Sequence, residues 1–257
     1  MFLLLPALLI FLGTSAPDMP DAPLASPTLE AQQDGGLGAA LANATMYYVG
    51  IYQKGPKWTP ESEADIMERL ATHQKQVMEL VKKRQLVGMM RTAEPSKYWG
   101  LVFYKSNDEQ EIMKLAAGMK VVEEGLLSYT LLKVWGPKGM GEKAVAEASA
   151  KGKLAAGPDT MYLVTFTKGE KWTGTVNEEL REKLGHQFDY MSALRKSGVA
   201  RFGCMADSDT DLIRGFWVLA AKSEGEARMH AANSPTVKEK WQHAQVIKVL
   251  VAHGTLP

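Results

Sequence analysis

Residues 46–59, MYYVGIYQKGPKWT, and residues 161–173, MYLVTFTKGEKWT, are one phrase written twice. Each opens on a run of Tyr, Val, Leu, Ile and Phe that reads as a strand. Each then meets Lys and Gly and runs into Lys-Trp-Thr. One gap aligns the two phrases, and the match extends over 46–136 and 161–252. It sets His73 beside His186, Gly100 beside Gly215, and Lys105-Ser106 beside Lys222-Ser223. Solenoid units run to only about 20–50 residues, so a repeat of this size is a domain used twice.

Both copies read strand, helix, strand, strand, helix, strand. In the first, strands are expected at 46–53, 86–91, 98–105 and 127–135. Ile66, Leu70, Val77, Leu80 and Val81 recur at helical spacing and put a helix over 61–84, opened by Thr59-Pro60-Glu61. A second helix is expected over 108–118, capped by Ser106 or Asn107. In the second copy, strands fall near 161–167, 199–205, 212–221 and 244–252, and helices near 176–197 and 224–232. This is the βαββαβ, ferredoxin-like order, an antiparallel sheet with helices on one face. Two such sheets can bury their bare faces on each other. The expected fold class is therefore α+β, with two ferredoxin-like repeats packed as an intramolecular, pseudo-dimeric barrel. Residues 137–160, rich in Gly, Ala and Lys, read as the linker.

The remainder of the chain sets its setting. Residues 2–12, FLLLPALLIFL, are apolar but too short to span a bilayer, which takes about 20 residues. With Gly13-Thr14-Ser15-Ala16 they read as a signal peptide over 1–16, which implies an extracytoplasmic protein, periplasmic or secreted. Residues 17–45, rich in Pro, Ala, Gly and Asp, read as a flexible tether. Thirty basic residues against 29 acidic ones leave a net charge of +1, with no basic patch to engage nucleic acid. No stable membrane insertion is expected. A single cysteine, Cys204, excludes an internal disulfide. Cys204 sits in an apolar strand opposite Met89 of the other copy and reads as core. No cofactor fingerprint and no metal-ligand spacing is present. Asp207-Ser208-Asp209-Thr210-Asp211 imitates a calcium loop, but Leu212 stands where such loops need Gly, so a hairpin turn is the better reading. Lys57-Trp58 and Lys171-Trp172 recur after the first strand of each copy. They suit a pocket rim, the indole stacking on a flat ligand and the ammonium meeting an anion.

Lys54-Gly55-Pro56-Lys57-Trp58-Thr59-Pro60 and Trp135-Gly136-Pro137-Lys138-Gly139 resemble the opening loop and closing segment of the YCII-related family. The resemblance implies a dimeric α+β barrel. It also implies a site pairing a His on the first helix with an Asp in an Asp-Pro step. Carried over, the His becomes His73 in the first copy and His186 in the second. The Asp position holds Met119, followed by Lys120, in the first copy, and Ser234, followed by Pro235, in the second. Neither copy keeps the carboxylate that would orient an imidazole and stabilise its protonated form. Ser234 can still hydrogen-bond within a ligand site; Met119 cannot.

Three functions remain open. The first is a small-molecule-binding protein with a pocket lined by His, Trp and Lys and with weak or lost catalysis. The second is an acid–base lyase or hydrolase on a small cyclic or aromatic substrate, using His73 or His186 with another carboxylate such as Glu94, Asp207 or Asp209. The third is a non-catalytic scaffold with a filled barrel and no cavity.

Overall fold

The computed structural model describes residues 44–62, 64, 66, 68–69, 79–93, 96–106, 108–151, 157–173, 177–207 and 213–256. The leader and most of the tether lie outside these residues.

Eight strands close into one antiparallel barrel. They are β1 (Ala44–Lys54), β2 (Leu86–Thr92), β3 (Tyr98–Tyr104), β4 (Leu127–Pro137), β5 (Pro158–Lys168), β6 (Ala200–Ala206), β7 (Gly215–Leu219) and β8 (Gln242–Ala252). Around the barrel the order is β1-β3-β2-β8-β5-β7-β6-β4. Each half therefore contributes four consecutive strands, β4-β1-β3-β2 from the first and β8-β5-β7-β6 from the second. Two seams join the halves. At one, β2 meets β8 over Met90 to Thr92. At the other, β4 meets β6 only through Val134↔Ala206 and Trp135↔Met205.

Strand alternation decides which side chains meet inside. In β1, Tyr47, Val49 and Ile51 point into the barrel, while Tyr48 and Tyr52 face outward. Phe103, Phe202 and Phe216 meet edge-on or tilted at the centre, with ring centroids 5.5–6.2 Å apart. That arrangement suits the ring quadrupoles and fills the interior. The outer faces carry separate apolar clusters, one per half, beneath the helices.

The described helices are α1 (Glu109–Ala117), α2 (Lys120–Glu123), α3 (Glu142–Lys151), α4 (Glu178–Lys196), α5 (Glu224–Ala232) and α6 (Pro235–Lys238). Of the first helix expected over 61–84, the described residues 62, 64, 66, 68–69 and 79–82 are helical, while 61, 83 and 84 are turn. Asp108, not Ser106 or Asn107, caps α1, accepting from the Gln110 N–H at 2.9 Å. Asn177 caps α4 and Ser223 caps α5 in the same way. The segment read as a linker is more than a tether. Helix α3 occupies its centre, the Gly141 and Ala144 N–H groups donate to the Thr255 and Gly254 carbonyls, and Met140 joins the barrel interior. Its Gly and Ala content concealed this; the helix buries Ala144 and Val145 and docks through residues far away in sequence.

The halves repeat in detail. Gly55 N–H donates to Leu126 O at 2.8 Å, and Gly169 N–H to Trp241 O at 2.9 Å. Strands β2 and β6 bulge at the same place, between Leu86 and Gly88 and between Ala200 and Phe202. A β-carbon on Gly100 would lie 2.7 Å from the Met90 carbonyl oxygen, and one on Gly215 would lie 2.4 Å from that of Cys204. Both glycines are fixed by the neighbouring strand's backbone.

Candidate functional site

A cavity of about 550 Å³ lies between α4 and the outer face of the second half's sheet. Phe166 from β5, Trp217 from β7 and Met191 from α4 form its apolar surface. Room for Met191 exists because β6 carries Gly203 there; a β-carbon would fall 2.7 Å from the Met191 methyl group. Four cations reach the lining: Lys138, Arg195, Lys196 and Arg214. No acidic residue lines it among the described residues. Arg214 is buried, with its guanidinium 4.6 Å from the centre of the Trp172 ring. A cation over an indole face at this distance is an attractive pairing.

Two lining residues, Gln187 and Gln242, belong to a network of neutral polar groups that continues behind the cavity surface. Ser234 and Thr236 are fully buried, and Gln242 nearly so. The Ser234 hydroxyl donates to Gln187 Oε1 at 2.9 Å. The Thr236 hydroxyl lies between Gln187 Oε1 and Gln242 Oε1, 2.7 Å from the latter. Gln187 Nε2 donates to Gln242 Oε1 at 3.4 Å. Ser234 stands at the N-cap of α6 but makes no capping bond, because its hydroxyl is directed to Gln187. Buried polar groups cost stability unless bonded, and here each supports the next.

The strand pairing fixes which residues correspond between the halves. Trp58 and Leu86 stand as far apart in sequence as Trp172 and Ala200, which places His73 in register with Gln187 rather than with His186. Cys204 is matched by Met90 rather than Met89, and Lys105 by Ala220 rather than Lys222. His186 is exposed on α4 and lies outside the cavity lining. His73 lies outside the described residues, as do Glu94 and Asp209. Lys57 is exposed. Trp58 is half-buried in the first half's outer cluster, with the Lys54 ammonium 3.7 Å from its ring centre. Lys171 pairs with Glu239 at 3.7 Å and with Glu179 at 3.9 Å. Neither Lys171 nor Trp172 lines the cavity, although Trp172 meets Arg214. Ser234 is brought to the cavity wall through Gln187. Asp207, the described end of the acidic run, pairs with Lys133 at 3.0 Å and accepts from the Trp135 indole at 2.7 Å. Those two contacts, the indole first, hold its carboxyl below the usual range.

Arg214, Gln187, Gln242 and Trp217 are the residues that sequence reasoning passed over. A signal for part of this wall lay in the repeat itself. Arg214 replaces Trp99, Thr236 replaces Val121, and Gln242 replaces Leu127 at matching positions.

Behind the cavity, Tyr190 packs on Trp217 and its hydroxyl lies 3.2 Å from His230 Nδ1. Burial pushes the Tyr190 phenol up to about 12 and pulls His230 down. Cys204 lines the cavity, and its burial among the strands pushes the thiol well above its ordinary value. Among the described residues no cluster of three His, Cys, Asp or Glu could hold a metal ion, and no helix is long and apolar enough to cross a membrane.

The closed barrel with helices outside defines the class: this is a fold of the dimeric α+β barrel type. The chain matches no family model and no curated protein. Among solved structures it is similar to a mutant chlorite dismutase from Candidatus Nitrospira defluvii in complex with cyanide. That match has 10% identity and a TM-score of 0.50, and covers 83% of this chain and 92% of the other. It is also similar to a putative monooxygenase from Fusobacterium nucleatum, at 10% identity and a TM-score of 0.49, covering 81% and 93%. A heme-binding protein from Thermus thermophilus follows at 10% identity and a TM-score of 0.46, covering 80% and 91%. At such identities the likeness is one of fold.

Proposed function

We propose that this chain is a tandem, YCII-type barrel of two ferredoxin-like copies that binds a small, flat organic anion in the cavity beneath α4. One observation carries the reading: among the described residues four cations and no carboxylate line a cavity whose other walls are aromatic, apolar and neutral polar. Its volume is that of an ordinary small-molecule site, about 300–1,000 Å³. Phe166 and Trp217 offer ring surface, Arg214 brings a planar positive charge to the lining, and Gln242 offers an orienting amide.

Binding fits better than acid–base catalysis. A general base must stand within hydrogen-bond reach of the proton it takes. The described lining holds no His, Asp or Glu, and a glutamine stands at the position that corresponds to His73. The lining also fits haem poorly. An axial ligand is a His, a thiolate, a Met backed by His, or a Tyr. Among the described residues no His or Tyr lines the cavity, and burial pushes the Cys204 thiol well above its ordinary value, against the thiolate. The apolar run at 2–12 supports export of the protein.

Calorimetric titration of the full chain with 2-naphthoate, 2-naphthamide and cyclohexanecarboxylate tests the reading. Naphthoate should bind, the uncharged amide should bind at least about tenfold more weakly, and Arg214→Gln should remove that preference. Equal binding of acid and amide would refute an anion site.

A further inference from the structure

The cavity belongs to the second half, yet one of its walls comes from the first. Strand β4 pairs with β6 only through Val134 and Trp135. Beyond Trp135, Gly136 and Pro137 line the cavity where the ladder has stopped. Trp135 stands at this edge, lines the cavity, and is 37% exposed, one of the two large exposed apolar side chains among the described residues.

An exposed indole is ordinarily free to change rotamer. This one is tied down. Its N–H donates to Asp207 Oδ1 at 2.7 Å, and the other carboxylate oxygen lies 3.0 Å from the Lys133 ammonium. The Asp207 N–H donates in turn to the Lys133 carbonyl at 2.8 Å. The acceptor is thus fixed by backbone and side chain together. With its N–H engaged, what the indole leaves to a ligand is π surface rather than a polar edge. The charge of Asp207 is balanced by Lys133, and Asp207 does not line the cavity, so the clamp does not repel an anion.

We propose that Trp135 is the stacking wall that selects flat ligands at this cavity, and that Asp207 is the positioning residue that holds it there. The proposal rests on the anion-binding reading above and sharpens its ligand class to planar, conjugated anions over saturated ones. It makes the site composite: the second half alone lacks the wall. A wall held in advance costs a ligand less ordering on binding than one that must be captured.

The experiment compares 2-naphthoate with cyclohexanecarboxylate on the full chain carrying Trp135→Phe, Trp135→Leu, Asp207→Asn and Asp207→Ala. Trp135→Leu should weaken naphthoate about tenfold and leave the saturated acid within about twofold. Trp135→Phe should keep most of the preference. Asp207→Ala should lose part of it and alter the tryptophan emission, and Asp207→Asn, which retains an acceptor oxygen, should restore both. If Trp135→Leu does not fold, Asp207→Ala carries the same comparison, because its side chain is outside the packed core. Naphthoate binding that is unchanged in Trp135→Leu and Asp207→Ala but lost in Arg214→Gln overturns this proposal and leaves the anion site standing. A wild-type chain that binds neither acid overturns both.

Discussion

In the first half of the barrel Met119, Val121 and Leu127 share an apolar cluster with Trp58. In the second half the matching places hold Ser234, Thr236 and Gln242, joined by Gln187 from α4. The backbone hydrogen bonds around the two sets are the same to within about 0.1–0.2 Å, as Val122 N–H to Met119 O at 2.8 Å and Val237 N–H to Ser234 O at 3.0 Å show. The first half spends its outer-face polarity elsewhere, in a buried Tyr52–Tyr104 hydroxyl pair 2.9 Å apart, whose counterparts are Phe166 and Leu219. The two halves share a scaffold but place their buried polar sets differently. Burying polar groups is costly, so their appearance in one half, at three places that are apolar in the other, is a difference that mutual hydrogen bonding has to offset.

If the scaffold is shared, breaking it should hurt both halves alike, and this is the largest effect expected. Gly215→Ala would drive a methyl group into the Cys204 carbonyl and Gly100→Ala into that of Met90, at 2.4 and 2.7 Å. Each should cost about 3 kcal/mol, with Gly215→Ala the worse. Urea unfolding of the two variants measures this. A Gly100→Ala chain as stable as wild type would show that the halves are not held by the same device.

The polar set gives a subtler test. Thr236→Val removes the hydroxyl between Gln187 and Gln242 and should cost about 1–3 kcal/mol, since Gln242 Oε1 is left with only the long 3.4 Å bond from Gln187 Nε2. Replacing the whole set together, as Gln187→Leu/Ser234→Ala/Thr236→Val/Gln242→Leu, should cost less than that single change, because no orphaned partner is left behind. It should also abolish naphthoate binding. A quadruple variant that falls by the sum of its parts would mean that these residues act independently rather than as a network.

The order of strands was legible because the repeat phrase carries both a strand and the Lys-Trp loop. The barrel followed from pairing two bare sheet faces. The site was less legible. His73 and His186 drew attention as the imidazoles nearest to alignment, yet the register that holds both flanking strands puts Gln187 where His186 was expected. A single-residue slip turns a helix by about 100°, enough to move a side chain from cavity to solvent. Arg214 lay hidden because a charge beside Gly215 resembles a strand end. Only its contact with Trp172 and its burial give it meaning. The docking of α3 could not be read at all, since its partners, Gly254 and Thr255, are far away in sequence.

The smallest effect expected is a pH dependence confined to one half. His230 is buried, facing the Tyr190 hydroxyl through Nδ1 at 3.2 Å and Glu226 through Nε2 at 3.8 Å; its counterpart in the first half is Leu115. Burial outweighs the pull of the Glu226 carboxylate and holds the imidazole below its ordinary value of 6.5. The unfolded chain therefore takes up a proton more readily than the folded one between those two values. Stability from the neutral imidazole is complete above 6.5 and is lost as pH falls from there toward the lowered folded value. Thermal unfolding followed from about pH 7 to about pH 5 should show a decline that flattens in His230→Leu, which copies the first half. In Tyr190→Phe the decline should persist, since desolvation rather than the phenol is the main cause. A decline undiminished by His230→Leu would place the titrating group outside this pair of helices, and the two halves would then answer to acid in the same way.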